Sequence, residues 1–356
     1  MDNRRTWFYG VVLSITIILS LPSVNFVEAQ TPPAKQISWR LQSVFSPGSP
    51  AYDVWVPVFR DEVNRRTKGQ LKITGYAPGS LVKAPEMFDA VTKGVVEMAT
   101  IGAYYWAGVI PEANIEIGLP LSFPEDPDLT YELFHRYKGG AFHNLLNVVY
   151  NEKGLQLVSD FMATGYGLMM VTPVRQLDDL KGKKLRAHGT FATLLKGIGV
   201  SPTSVDPAEQ YMAMKTGVID GTLYPIYCLD AYKFREVVKT VVLPRLLGTI
   251  PVAIIANLPE WKKLSPEVQK AVQEAVQVAD KKYADAAWPY EQEVMKNATA
   301  TYGVKIVNLP ASDVSRLQKA AIPIWDNAAK KSPKSAELVT LLKEFLKEKG
   351  IKSPGE

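Results

Sequence analysis

The sequence predicts an α/β fold, and three observations lead to it. Segments with alternating apolar residues, typical of strands, are separated by segments whose apolar residues recur at helical spacing. The 356 residues are 47% hydrophobic and 22% charged, as in an ordinary globular protein. Beyond the first thirty residues, no stretch is apolar and long enough to cross a bilayer. Strands that alternate with helices predict βαβ units and a largely parallel sheet.

The first 29 residues have the layout of a secretory signal peptide. Arg4 and Arg5 precede the apolar run VVLSITIILSLPSV, and Val27-Glu28-Ala29 is a suitable cleavage site. We expect cleavage after Ala29 and a periplasmic mature protein. The alternative is an uncleaved membrane anchor, although the apolar run is short for a span of about 20 residues. No cysteine follows the run, which excludes a lipoprotein anchor.

The N-terminal part of the mature chain reads as strands and helices in turn. Ser49 and Pro50 are a cap and a first-turn proline, and Pro57 should kink or delay the helix that they begin. The expected elements are a strand at 37–45, a helix from Ser49 to Gly69, a strand at 71–74, a helix from Pro85 to Gly94 and a strand at 95–101.

The same alternation continues towards the C-terminus. Residues 155–172 contain two strand-like runs around a glycine-rich middle, and 241–258 is strongly β-prone. The longest helix begins at the Ser265 cap, presents an apolar face about 22 residues long and should bend at Pro289. The remaining expected elements are strands within 177–187, 218–227 and 301–310 and helices within 191–199, 207–217, 313–331 and 336–350.

The charge pattern and the missing motifs exclude several functions. The net charge of +5 is spread along the chain without a basic block, so nucleic acid is not an expected partner. Cys228 is the single cysteine, and it forms no metal-ligand spacing with His135, His143 and His188. There is no GxSxG, no P-loop and no GxGxxG after a strand. We therefore expect no cofactor, no metal and no catalytic residues.

Arg186 is the residue whose predicted position most directly indicates a function. It lies in the segment KGKKLRAHGT, inside a short apolar register typical of a buried strand. A buried guanidinium requires a partner, and a carboxylate matches it with two parallel hydrogen bonds. The residue alone leaves open whether that carboxylate belongs to the chain or to a ligand. His188 follows by two positions and would share its face of the strand.

Four segments, in this order along the chain, resemble one protein family. They are GSLVKAPEMFDAVTKGVVEMATIGAYYWAG, LDDLKGKKLRAHG, AMKTGVIDGTLYP and LPEWKKLSPEVQKAVQEA. They resemble the solute-binding proteins of tripartite ATP-independent periplasmic (TRAP) transporters, of the C4-dicarboxylate-binding type. The resemblance implies a two-lobed fold of the periplasmic-binding-protein kind, in which a long bent helix spans both lobes. It also implies that Arg186 binds the carboxylate of the ligand.

The resemblance suggests a division of the chain. We expect a signal peptide at 1–29, with lobe I formed by 30–160 and about 250–290. Lobe II would comprise 161–249 and about 291–356.

Departures from the family pattern narrow the expected ligand. Many members end the second motif with D-G-x-E-N-P, whereas this chain has Leu223 and Tyr224 in the places of the glutamate and the asparagine. Since that glutamate helps to hold a cation in some members, a metal is not expected here. Tyr166 stands where some sugar-acid binders have a second arginine. The YYWAG run resembles the branch that binds 2-oxo and 2-hydroxy monocarboxylates.

These considerations give one set of candidate ligand-binding residues. One arginine suits one carboxylate, and tyrosines offer an apolar face with a single hydroxyl. The alternative for each aromatic residue is ordinary core packing, and if Tyr104 and Tyr105 lie on a strand they should face opposite sides. The predicted set is Arg186, Tyr224, Tyr104, Tyr105, Tyr166, Trp106, Phe191 and His188.

The expected function is that of an extracytoplasmic solute-binding protein. It would capture a small organic acid, most simply a monocarboxylate, and deliver it to TRAP-type membrane permease subunits as a monomer or a dimer. Two alternatives remain open at this point: an exported α/β enzyme acting on a small carboxylate through His188, and a ligand-sensing domain that serves a receptor.

Overall fold

Two long neighbouring strands, Leu155–Met170 and Thr240–Asn257, organise the sheet. The computed structural model describes Gly10 and residues 36–356, so the predicted signal peptide and its cleavage site lie outside the residues that can be compared. The strands in chain order are β1 Ile37–Ser43, β2 Leu71–Tyr76, β3 Met98–Ile101, β4 Leu155–Met170, β5 Lys184–Arg186, β6 Ser201–Thr203, β7 Gly221–Pro225, β8 Thr240–Asn257 and β9 Lys305–Asn308.

The strands form one mixed sheet in the order β2-β1-β3-β8-β4-β7-β5-β6, with β9 beside β8. β3 pairs with the C-terminal part of β8, whereas β7 pairs with the C-terminal part of β4, at the opposite end of the long strands. Two groups of short parallel strands are thus joined through antiparallel pairs of β4 and β8. The prediction of a largely parallel sheet missed the antiparallel pairs β3–β8, β4–β7 and β4–β8.

β4 differs from the expectation of two strand-like runs, because it is one strand of 16 residues. Gly165 lies so close to β8 that a Cβ there would be 2.3 Å from the carbonyl oxygens of Leu247 and Gly248. The glycine permits this close approach and does not end the strand. β4 and β8 are buried along nearly their whole length, as expected for strands covered on both faces.

The helices surround this sheet. They are α1 Val56–Arg66, α2 Met87–Thr92, α3 Ala113–Glu116, α4 Pro127–His135, α5 Ala141–Glu152, α6 Gly189–Gly197, α7 Gln210–Lys215, α8 Cys228–Ala231, α9 Leu258–Lys263, α10 Pro266–Ala300, α11 Ala311–Ala329 and α12 Pro333–Glu348. A π-helical turn at Ala51–Trp55 precedes α1, where the sequence predicted a disturbance around Pro57. Within the described residues, no helix has the length and apolar character needed to cross a membrane.

α10 confirms the predicted long helix and exceeds its expected length, with 35 residues. The Ser265 hydroxyl accepts a hydrogen bond from the Val268 amide and so caps its start, while Pro289 lies inside it. α10 contacts α1, which connects β1 to β2, and it also contacts α8, which follows β7, and β9. The helix therefore packs against elements that adjoin both groups of short strands. α12 contacts α3 and α5, and α11 contacts α6. The exact lobe boundaries stay a prediction.

Candidate functional site

Arg186 is the last residue of β5 and lies between β6 and β7. Only 1% of the residue is exposed, which agrees with the predicted buried strand. Its Nε donates to the Val205 carbonyl oxygen at 3.1 Å, and its Nη2 lies 3.5 Å from the Tyr105 hydroxyl. The guanidinium carbon is 4.9 Å from the ring centroid of Tyr224, a cation–π contact. Aromatic groups and one carbonyl therefore surround the charge.

Tyr104 and Tyr105 approach from the other group of strands. They lie in a helical turn, Ala103–Trp106, directly after β3, so the alternation expected of a strand does not apply. The Tyr104 ring stacks on His188 with centroids 5.0 Å apart and planes within 2°. The Tyr105 ring is 5.2 Å from His188 as well. Both tyrosines therefore face the segment that follows β5.

Tyr166 and Tyr224 lie on adjacent strands. β4 pairs with β7 so that Tyr224 is opposite Gly167, and the two rings are 5.6 Å apart. Both residues are buried. Tyr232, which the sequence did not single out, is 6.4 Å from Tyr224, and its hydroxyl accepts from the Ser46 amide at 2.9 Å. Each of the four predicted tyrosines and His188 thus lies close to Arg186 or to another member of the predicted set.

His188 is a neutral imidazole in this setting. Burial, reinforced by the charge of Arg186, lowers the pKa of His188 to about 3. Its Nε2 is buried and has no hydrogen-bond partner within residues 36–356. The sequence did not single out Asn114. Its buried Oδ1 also has no partner in the described part of the chain and would lie 3.0 Å from a Cβ at Gly189. Two unpaired polar atoms therefore flank the start of α6.

Trp106 and Phe191 have different surroundings. The Trp106 indole donates to the Tyr150 hydroxyl at 2.9 Å, and its ring is 5.7 Å from Phe88. These are contacts of core packing, the alternative that the sequence left open. Phe191 is buried in α6, with 2% of the residue exposed. A ligand-binding role for either residue stays a prediction.

The buried charges of the described residues separate into paired and unpaired groups. Arg186 and Arg245 are the two buried basic side chains within 36–356. Arg245 on β8 forms ion pairs with Glu291 and, at 3.2 Å, with Glu125. Arg186 forms no salt bridge with any residue of 36–356. Its positive charge is therefore available to an anion from outside the chain.

A cavity of about 290 Å³ borders this group. Its wall includes Tyr105 and Val205, the two residues that contact the Arg186 side chain. The remaining wall comes from the segment after β2 and the segment after β6: Pro78, Gly79, Lys83, Pro85, Ser204, Asp206, Ala208 and Glu209. β2 belongs to one group of short strands and β6 to the other. The cavity, which is lined by the segments that follow them, therefore lies between the two groups. Ligands of α/β sheets commonly bind in such a crevice.

Comparison with known proteins gives the family. The family described as bacterial extracellular solute-binding protein, family 7, matches residues 41–332. The chain belongs to this family. A periplasmic protein of Nostoc sp. that binds monocarboxylate 2-oxoacids is 22% identical over 343 residues, which cover 95% of this chain and 92% of that protein. An ectoine-binding periplasmic protein of Halomonas elongata is 27% identical over 249 residues, 68% of each chain.

A solved structure supports the fold. The TRAP periplasmic solute-binding protein of Pseudoalteromonas atlantica, with bound sodium and pyruvate, has a TM-score of 0.81 at 21% identity, over 89% of this chain and 95% of that chain. The predicted α/β solute-binding fold and the resemblance to TRAP solute-binding proteins are confirmed. Proteins of the family are periplasmic, and they bind solutes for transport rather than catalyse reactions.

Proposed function

We propose that this family 7 protein captures a small monocarboxylate, with Arg186 as the partner of the carboxylate, and delivers it to a TRAP-type permease in the membrane. The observation that carries the proposal is a buried guanidinium without an acidic partner in residues 36–356. Leaving such a charge unpaired is costly, and an incoming carboxylate would compensate it with charge-assisted hydrogen bonds. Delivery, and not conversion, of the acid is the function that the family supports.

A count of the available donors favours one carboxylate over two. Arg245, the other buried cation of the described residues, is already neutralised by Glu291 and Glu125. Tyr166 and Tyr224 offer aromatic faces and one hydroxyl each. Lys83 on the cavity wall is exposed, so within the described residues a second carboxylate would have to lose its water without meeting a buried, unpaired cation. The relative that binds monocarboxylate 2-oxoacids and the neighbour solved with pyruvate support this choice, whereas the ectoine-binding relative represents another ligand class.

A panel of acids tests the proposal. Ligand-free protein is titrated calorimetrically with pyruvate, 2-oxobutyrate, a branched 2-oxo acid, succinate and ectoine. We expect a 2-oxo monocarboxylate to bind most tightly and succinate to bind weakly. Tighter binding of succinate would contradict the monocarboxylate assignment and require a second cation at the site. Binding of ectoine alone would contradict the role given to the tyrosines.

The proposed ligand contacts both groups of strands. Tyr104 and Tyr105 follow β3, while Arg186 ends β5. A ligand between them binds the closed arrangement better and shifts the population towards it, as in other hinged binding proteins. Small-angle scattering should therefore show a smaller radius of gyration with the preferred acid. An unchanged radius at saturation would argue that the two predicted lobes do not close on the ligand.

A further inference from the structure

Two histidines and an aspartate from α4, α5 and β4 form a cluster that does not include Arg186. His135 ends α4, His143 lies in the first turn of α5, and Asp160 lies on β4. Lys138, Gly139 and Gly140, between the two helices, have φ values of 47°, 71° and 77° and reverse the chain. The imidazole centroids are consequently 5.1 Å apart.

Four polar atoms of this cluster are buried and form no hydrogen bond with any described residue. They are His135 Nε2, His143 Nδ1 and both carboxylate oxygens of Asp160. His143 Nδ1 lies 3.7 Å from Asp160 Oδ2, which is longer than a hydrogen bond. Asp160 is fully buried, at 0% exposure. Buried polar groups are nearly always paired, so four unpaired atoms at one place require an explanation.

The donor set matches a transition metal. One ligand atom from each of the three residues lies within 4.8 Å of the other two. Two ligands of a tetrahedral zinc ion, bound at about 2.0–2.1 Å, are roughly 3.3 Å apart, so small side-chain adjustments would suffice. We propose that His135, His143 and Asp160 form a binding site for a divalent transition metal ion of the zinc class, with water as the fourth ligand.

Neighbouring groups support the site. The Tyr150 hydroxyl donates to Oε2 of the buried Glu116, and Glu116 Oε1 has no hydrogen-bond partner among the described residues. Glu116 and Asp160 are both fully buried, and these two acidic side chains lie close to one another. A bound cation would counter that accumulation of negative charge.

A cavity lies beside the cluster. This cavity of about 460 Å³ is lined by Tyr131, whose ring is 4.5 Å from that of His135, and by Met162, two residues from Asp160 on β4. Asp280 is in the same wall, and its buried Oδ2 has no partner among the residues that the structure describes. The cavity therefore borders residues that adjoin the cluster.

Metal titration of the purified protein, without a histidine tag and after treatment with a chelator, tests the proposal. We expect one zinc ion per chain by calorimetry, a rise in melting temperature with zinc, and visible absorption bands of low-coordinate cobalt when Co²⁺ is the probe. His143→Gln and Asp160→Asn should each weaken zinc binding by more than about 100-fold, since even residues that only orient ligands change metal affinity by 10- to 100-fold.

The third histidine of the chain is the matched control. His188→Gln removes an imidazole outside the cluster and should leave zinc affinity unchanged. If Asp160→Asn does not fold, His143→Gln decides, because its side chain is 17% exposed. The absence of saturable zinc binding to the wild-type protein would overturn the proposal and identify a metal-free histidine–aspartate pair. Equal affinity of His143→Gln and wild type would overturn it as well, since zinc would then bind elsewhere.

Discussion

The two buried arginines of the described residues lie in opposite electrostatic settings. Arg245 on β8 donates to the Gly165 carbonyl and to the Glu291 carboxylate, and Glu291 also accepts from Thr164 and from the Tyr227 amide. Arg186 on β5 has a carbonyl, a hydroxyl and an aromatic face, but no acid. The first charge is neutralised by the chain itself, whereas the second is not.

The difference separates a structural role from a proposed binding role. A buried ion pair with additional hydrogen bonds holds β4, β8 and α10 together, because its members come from all three elements. A buried cation enclosed by tyrosines does not stabilise the fold, because its desolvation is uncompensated until an anion binds. Substitutions at the two arginines should therefore affect different measurements.

The largest expected effect is on stability and belongs to Arg245. Arg245→Ala leaves Glu291 buried without its cation, and breaking a buried pair in this way costs about 3–5 kcal/mol. Chemical denaturation should show this loss of unfolding free energy. The double variant Arg245→Met with Glu291→Leu should recover most of it. A loss below about 1 kcal/mol in Arg245→Ala would show that the pair is not structural.

The second effect is on binding and belongs to Arg186. Arg186→Ala should weaken binding of the preferred acid by about 2–5 kcal/mol, or roughly 30-fold to several thousandfold. Arg186→Lys should also bind poorly, because an ammonium group does not reproduce the planar fork. Unfolding free energy should fall far less than in Arg245→Ala, since no buried acid is left unpaired. Near wild-type affinity in the folded Arg186→Ala protein would remove this residue from the site.

Local patterns predicted the elements that position this site. The apolar register around Arg186 predicted a buried strand, and the Ser265 cap predicted the start of α10; both are confirmed. The glycines of 155–172 misled the prediction, because a glycine that permits close approach of two strands looks, in sequence, like one that interrupts a strand.

The same local patterns could not predict contacts between segments that are distant in the sequence. The stacking of Tyr104 on His188 depends on how the turn after β3 approaches the start of α6. Asn114 carries no local signal, since a single asparagine in a helical turn is ordinary. His135 and His143 lie on two helices connected by a reversal of the chain, and Asp160 lies on a strand. Known sequence spacings of metal ligands therefore could not predict that these three residues lie together.

A third prediction concerns acid stability. The pKa of His188 in the folded state, about 3, lies below its ordinary value of 6.5. Between these two pH values the imidazole is protonated in the unfolded chain and neutral in the folded chain. This contribution to stability is complete above roughly pH 6.5 and is lost as the pH falls towards 3. Each such histidine contributes a slope of about 1.4 kcal/mol per pH unit in that window. His188→Gln should reduce the slope measured by denaturation of ligand-free protein. An unchanged slope would mean that the buried imidazole is protonated in the folded state.

The smallest expected effect is a change in selectivity at Tyr224. Its ring lies under the Arg186 guanidinium and beside Tyr166, so it limits the polarity around the proposed carboxylate. Tyr224→Asn removes a cation–π contact worth about 0.5–2 kcal/mol and apolar surface that would pack on the ligand. We expect about tenfold weaker binding of the preferred monocarboxylate and a smaller difference between that acid and succinate, because the amide adds donors. Tyr224→Phe is the matched control: it keeps the ring, and it should retain the preference for monocarboxylates while losing only the contribution of the hydroxyl. If Tyr224→Asn and Tyr224→Phe discriminate equally well, the aromatic face does not set the selectivity, and the contrast between the two arginines alone would have to explain it.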